Sequence, residues 1–249
     1  MDMFGIFSQA GLAFLARWAH FLAGITWIGI LYYFNFVQVP AFAEMEVPAR
    51  SEALRKITFR ALWWFRWGAA LTLLSGLTIL GLNGQFTHAY FQTVAGVSIA
   101  TGALLGIIMF SNVWFVIWPA QKIAIGSAEA VAAGGTADPG AAAAGRRGLV
   151  ASRTNTLLSI PMLFFMAATS HFVTFGNHFA REASSSNVMM WWGTVVVLAG
   201  AIELNALGMF GGLGPSWNTK PLDTIRNVLV SGFVLMAVLY VVFEVCFRA

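Results

Sequence analysis

Six long apolar stretches dominate the 249-residue sequence and decide what it can fold into. A membrane-spanning helix needs about 20 predominantly apolar residues. Stretches of that kind occur at about 11–37, 62–82, 94–118, 157–180, 188–211 and 225–246. Only 10% of the residues are charged, whereas soluble domains average about 25%. The sequence therefore predicts an all-α, polytopic integral membrane helix bundle of about six transmembrane helices, with residues 1–249 forming a single membrane domain.

The basic residues cluster in the loops that follow the first, third and fifth stretches. They are Arg50, Arg55, Lys56, Arg60, Lys122, Arg146, Arg147, Arg153, Lys220 and Arg226. Because Lys and Arg accumulate in cytoplasmic loops, we expect these three loops inside and both termini outside. This clustering argues against a nucleic-acid partner and for membrane lipid. The expected location is a bacterial inner (cytoplasmic) membrane, crossed several times.

The segment 121–153 is rich in alanine and glycine and shows no hydrophobic face along most of its length. Such a composition is typical of a mobile linker. We therefore predict a flexible cytoplasmic loop over 121–153.

The four histidines, His20, His88, His171 and His178, all fall on the predicted outer side. At 1.5 Å per residue, His20 lies roughly 14 Å into the first helix. His171 lies roughly 14 Å from the outer end of a fourth helix that continues to residue 180. The two side chains are therefore expected at the same depth in the bilayer.

Two histidines at equal depth on two helices suit a haem iron held from both faces, since imidazole is a preferred axial ligand. We predict one haem b between His20 and His171. Gly24, one turn inward, would leave room for the ring, and Arg17, one turn outward, would pair with a propionate. The alternatives are another metal ion or a structural hydrogen-bonding role for the histidines, and an Arg17 side chain that only reaches the interface.

Three other polar residues have more than one possible role. His88 and His178 would bind a second haem, a copper ion or propionates, or lie in water. Glu203 lies inside the fifth apolar stretch, where a carboxylate is costly and indicates a function. Its expected roles are proton relay or an ion pair with a basic residue such as Arg66. The single cysteine, Cys246, excludes a disulfide and a CxxCH haem-attachment site within this sequence.

Three ordered stretches resemble the N-terminal membrane domain family of bacterial membrane-bound urate oxidases (urate hydroxylases). They are 20-HFLAGITWIGILYYFNF-36, 111-SNVWFVIWPAQKIAIG-126 and 152-SRTNTLLSIPMLFFMAATSHF-172. The resemblance implies a purine-oxidising or electron-transferring membrane protein coupled to cytochrome c and the respiratory chain. In that family a C-terminal cytochrome c domain commonly follows, and this sequence lacks one. We therefore expect electrons to pass to a separate periplasmic cytochrome or another subunit of a multisubunit complex.

The leading hypothesis is a haem b-binding membrane redox protein related to urate oxidases, either an oxidoreductase or an electron-transfer subunit. Two other classes remain as alternatives. One is a transporter without a redox centre, using Glu203 in its pathway. The other is a structural or accessory subunit of a larger respiratory complex.

Overall fold

Six long apolar helices form the computed structural model, which describes residues 5–171 and 182–248. They are α1 (Gln9–Glu44), α2 (Val47–Leu82), α3 (Val94–Ala132), α4 (Ala141–His171), α5 (Ser185–Ala206) and α6 (Ile225–Phe247). Each is long and apolar enough to cross a bilayer. The predicted all-α, multi-pass membrane bundle is confirmed.

The helices alternate in direction, as contacts between their ends show. The Gln9 side chain donates to the Leu82 carbonyl, so α1 starts where α2 ends. The Ala183 amide donates to the Gln92 carbonyl, 2.8 Å away, and joins the segments before α5 and α3. We name this the histidine end, since His88 lies in the same α2–α3 connection. The opposite end carries Arg50 and Arg146, and we name it the basic end.

Helix α4 is the centre of the bundle and the most buried of the six helices. Small residues let its neighbours approach closely. A Cβ atom at Gly232 of α6 would lie 2.9 Å from the Leu157 carbonyl oxygen, and one at Gly102 of α3 would lie 2.9 Å from Met166. Close backbone approach through small residues is a common way to pack helices in a membrane.

The first three helices each contain one wider, π-helical turn. These turns are Tyr33–Gln38 in α1, Leu54–Thr58 in α2 and Asn112–Ile117 in α3. Pro40 and Pro119 follow two of them by two residues. A proline lacks an N–H group and its ring collides with the carbonyl four residues earlier, so a wider turn just before it relieves that collision.

The prediction of a loop over 121–153 is wrong for most of its length. Helix α3 continues to Ala132, helix α4 begins at Ala141, and only residues 133–140 connect them. Alanine is the strongest helix former, which explains both extensions. Val150 is fully buried in the core, and Arg153 donates to the Leu222 carbonyl at 2.8 Å. These contacts hold the start of α4 against the segment before α6.

Candidate functional site

His20 points from α1 toward α2 and is half-buried. Its Nδ1 atom lies 3.1 Å from the hydroxyl oxygen of Ser75. The ring also packs against Gly76, where a Cβ atom would lie only 3.1 Å from the Cε1 atom of His20. The adjacent Ser75 and Gly76 thus provide a hydrogen-bond partner and the space for the imidazole.

The Ser75 contact favours a proton on the Nδ1 atom of His20. The Ser75 hydroxyl has one proton, which it donates to the carbonyl of its own helix at Leu71, 2.6 Å away, with Thr72 at 3.1 Å. Its oxygen is therefore the acceptor toward His20, and Nδ1–H is the donor. Nε2 then carries the lone pair. This is the form in which a neutral imidazole binds a metal. Besides Ser75, the His20 ring has one other polar contact with a described residue, the backbone of Thr72 in the same helix, α2.

The two residues predicted beside His20 differ in their surroundings. Gly24 is half-buried, and a Cβ atom built there would meet no atom within 4 Å. Arg17 is exposed, and no ion pair with another described residue holds it. Open space therefore lies one turn from His20 toward the basic end, and the Arg17 guanidinium, which pairs with no described carboxylate, lies one turn toward the histidine end.

His171 is the last described residue of α4, and it is exposed. Two residues earlier, Thr169 donates to the Ser98 hydroxyl of α3, 3.1 Å away. Ser98 is about 6 Å from the first residue of α3, so this turn of α4 lies near the histidine end. No described contact joins His20 to His171. Residues 172–181 lie outside the described part, so the equal depth of the pair stays a prediction.

The two remaining histidines were predicted at the rim. His88 is exposed and begins the short helix His88–Phe91, which Thr87 caps by accepting from the Tyr90 amide at 3.2 Å. Burial raises the pKa of the Tyr90 hydroxyl in the same helix. His178 lies outside the described residues. Within residues 5–171 and 182–248, no three His, Cys, Asp or Glu side chains lie close enough to share a metal ion.

Glu203 forms part of a polar cluster between α3, α4 and α5. Its Oε2 atom accepts from the Asn112 amide at 2.9 Å, and the same amide donates to Asn155 at 3.0 Å. Asn155 in turn donates to the Met109 carbonyl at 2.9 Å. Asn112 and Asn155 are buried, so these bonds satisfy groups that would otherwise be costly. We name Glu203, Asn112 and Asn155 the polar cluster.

The expected ion pair between Glu203 and Arg66 is wrong. The Arg66 guanidinium lies instead over the Trp118 ring, 3.9 Å from its centroid, and 5.0 Å from that of Trp114. An aromatic face attracts a cation, and arginine stacks well because its guanidinium is planar and weakly hydrated.

Sequence reasoning missed Ser75, Gly76 and Asn155. The adjacent small residues of the Ser75–Gly76 pair are a signal for close helix approach. That signal does not identify which helix approaches, because α1 and α2 carry apolar side chains on nearly all of their faces and no one face stands out.

Comparison with known families gives one finding. Residues 83–199 match the family model described as urate oxidase N-terminal. The match confirms the predicted resemblance and covers two of its three stretches, 111–126 and 152–172. His171 lies inside the matched region, and His20 lies before it. No curated protein and no solved structure matches the chain.

Proposed function

We propose that this chain, whose residues 83–199 match the urate oxidase N-terminal family, is a haem b-binding integral membrane redox protein. It would pass electrons to a periplasmic cytochrome or another respiratory partner from the inner membrane of a bacterium. The observation that carries the proposal is the state of His20. Ser75 holds its Nδ1 atom at 3.1 Å, and no described side chain hydrogen-bonds to its Nε2 atom.

The residues around His20 fit an imidazole ligand. A histidine that binds a metal commonly donates its other ring N–H to an oxygen, which orients the ring and makes the ligand nitrogen more basic. Ser75 supplies that oxygen, and Gly76 lets the ring lie flat against α2. His20 and His171 would hold the haem iron, and a bound haem supplies reversible one-electron chemistry.

Gly24 and Arg17 support the same arrangement. Open space beside Gly24 suits a large flat ring between helices. The Arg17 guanidinium, which forms no ion pair with a described residue, is one turn from His20 on the side of the histidine end, where it would pair with a carboxylate at the interface. Haem propionates are carboxylates of this kind.

The electron partner is proposed from the family and from the sequence. The chain's one cysteine, Cys246, is not part of a CxxCH motif, so a haem c would be bound outside residues 1–249. A cytochrome c at the periplasmic surface suits a haem near the histidine end, which we expect on the outside by the positive-inside rule.

The polar cluster favours a second candidate, a transporter without a redox centre. Glu203 lies inside α5, and its partner is the neutral amide of Asn112. Carboxylates at such positions serve in proton relays and ion pathways. In the redox proposal, Glu203 would instead relay a proton that accompanies electron transfer. An accessory subunit without chemistry of its own remains the third class.

An absorption spectrum of the purified full chain tests the proposal. Reduced-minus-oxidised difference bands of b type are expected, and His20→Ala and His171→Ala should each remove the main signal. His88→Ala changes an exposed histidine between α2 and α3 and serves as the control. If the chain binds a single haem through His20 and His171, this variant should keep the b-type bands. A wild-type protein without b-type bands that moves a solute in liposomes would support the transporter.

A further inference from the structure

A partly open cavity of about 450 Å³ lies at the basic end, between α1, α2, α3 and α4. Its walls are mostly apolar, with Phe34, Leu62 and Ile117 among them. Binding sites for small molecules are commonly apolar clefts of about 300–1,000 Å³ with a few convergent polar groups. This cavity has that size, and it is separate from the surroundings of His20.

All three π-helical turns contribute to the wall. The turn in α1 supplies Phe34 and Gln38, the turn in α2 supplies Leu54 and Thr58, and the turn in α3 supplies Ile117. A π-helical turn is less favourable than an α-helical one and often occurs at a functional site. Pro40 and Pro119 account for the wider turns of α1 and α3, and all three turns shape the wall of this one cavity.

The wall offers several hydrogen-bond donors. Thr58 donates to the side-chain oxygen Oε1 of Gln38 at 2.9 Å, and Asn35 donates to the Ser152 hydroxyl oxygen at 2.8 Å. These contacts leave the Gln38 NH₂ group and the Ser152 hydroxyl proton without a hydrogen bond to any described residue. The Gln121 amide, also in the wall, makes no hydrogen bond to a described residue.

The charge among the described residues of the wall is positive. Arg50 lines the cavity, and no Asp or Glu is among the described residues that line it. Three acidic residues are close in sequence to the lining residues, Glu44, Glu46 and Glu52, and none of them lines the cavity. Glu52 is exposed and pairs with Lys56 at 2.5 Å. Donors and a cation against apolar walls suit a ligand with acceptor atoms, a negative charge and an apolar body.

We infer that this cavity binds a small organic anion, a carboxylate or its equivalent on an apolar body. The carboxylate would accept from Arg50 and the unused amide and hydroxyl donors, and the body would contact Phe34, Leu62 and Ile117. Charge-assisted hydrogen bonds of this kind are about twice as strong as neutral ones. The inference goes beyond the proposed redox function and does not depend on haem.

Gly145 allows the cavity to be filled without disturbing the helices. It lines the cavity, and a Cβ atom built there would meet no atom within 4 Å. Gly145→Leu therefore places a side chain into the ligand's space, and leucine favours the helix more than glycine. Gly126→Leu is the matched control, because Gly126 is also helical, also has no atom within 4 Å, and does not line the cavity.

The probe is 4-fluorobenzoate, compared with the neutral 4-fluorobenzamide of nearly the same shape. Binding is measured by ¹⁹F NMR line broadening with the full chain in phosphatidylcholine nanodiscs, and broadening by empty nanodiscs is subtracted. We expect broadening of 4-fluorobenzoate by wild type and by Gly126→Leu, and little broadening of 4-fluorobenzamide. Gly145→Leu should abolish the specific broadening. Equal broadening of both probes, or unchanged broadening with Gly145→Leu, would overturn the inference.

Two further variants test the donors separately. Arg50→Gln should weaken 4-fluorobenzoate binding about tenfold, because a charged hydrogen bond is lost. Arg147→Gln removes an exposed charge from the basic end outside the cavity and should leave binding unchanged. Gln121→Leu removes an amide without leaving a described partner unsatisfied, and it replaces Gly145→Leu if that variant does not fold. Equal weakening by Arg50→Gln and Arg147→Gln would show surface attraction instead of a site.

The haem difference spectrum, recorded on the same samples, keeps the two proposals apart. Loss of 4-fluorobenzoate binding with an unchanged b-type spectrum is expected for Gly145→Leu. A wild-type protein that has no b-type spectrum and binds 4-fluorobenzoate would contradict the redox proposal and support the anion site.

Discussion

The Nδ1 atom of His20 lies 3.1 Å from the hydroxyl oxygen of Ser75, and this contact joins α1 to α2. The Ser75 hydroxyl proton is already donated to the α2 backbone. His20 is therefore the donor, and its Nε2 atom carries the lone pair. The contact orients the ring and favours the tautomer with its proton on Nδ1.

Ser75→Ala should lower haem affinity without removing the ligand. Loss of the hydrogen-bond partner of a metal-binding histidine typically costs about 10–100-fold in affinity or activity. The measurement is the fraction of purified chains that retain haem during titration with a competing haem-binding protein. The midpoint potential should also shift, because His20 becomes less basic.

Thr78→Ala is the control for Ser75→Ala. Thr78 lies three residues further along α2, is exposed, and donates to the Leu74 carbonyl of its own helix. It should leave haem affinity and potential unchanged. If both variants lose haem to the same extent, Ser75 has no special relation to the cofactor.

Gly24→Leu should reduce haem content strongly, although the structure leaves room for the new side chain. The reason is that the proposed ring would occupy that room. Gly29→Leu, also in α1 with no atom within 4 Å of its Cβ position, should retain full haem content. In their haem-free forms, both variants should unfold at the temperature of haem-free wild type or above, since glycine is a poor helix former. Full haem content in Gly24→Leu would exclude this position from the site.

Asn112→Leu should destabilise the fold by about 1–3 kcal/mol, because Glu203 and Asn155 each lose a donor. Thermal unfolding in detergent measures the change. Ser111→Ala removes only a hydroxyl that donates to its own helix at Ile107, and it should have little effect. Glu203→Gln keeps an acceptor oxygen opposite Asn112 and should preserve stability. An Asn112→Leu variant as stable as wild type would show that the polar cluster is not structural.

The sequence predicts six helices because hydrocarbon demands long apolar segments, and the structure confirms all six. It also identifies the polar groups within them, such as His20 and Glu203. It does not show their partners, because which helix faces contact one another depends on small-residue packing such as that of Gly76 against His20. Arg66 shows how the partner of a polar group is missed. Its charge predicts an acidic partner, and the structure places its guanidinium over the Trp118 ring instead.

The prediction of a loop over 121–153 is wrong for a different reason. Alanine and glycine indicate a linker by composition, yet alanine also favours helix. Tertiary contacts decide the outcome, since the Arg146 side chain reaches both the Leu213 carbonyl at 2.7 Å and the Asp223 carboxylate at 3.1 Å. Such contacts link residues about 70 positions apart and leave no local signature.

Gly232→Ala should destabilise the packing of α6 against α4. The added Cβ atom would lie 2.5 Å from the Ile160 Cδ1 atom and 2.9 Å from the Leu157 carbonyl oxygen, and backbone atoms move little. Overpacking of this kind typically costs about 1–3 kcal/mol. Gly200→Ala in α5 meets no atom within 4 Å and should be neutral or slightly stabilising. An equal response of the two variants in thermal unfolding would contradict the close approach of α4 and α6.

The haem-to-protein ratio of the purified full chain, compared between wild type and His20→Ala, tests the central claim most directly. The pyridine haemochrome spectrum identifies the haem type and its amount. The account predicts about one haem b per wild-type chain and almost none in a folded His20→Ala protein. A wild-type chain without haem, or a His20→Ala chain that keeps its full amount, would contradict it.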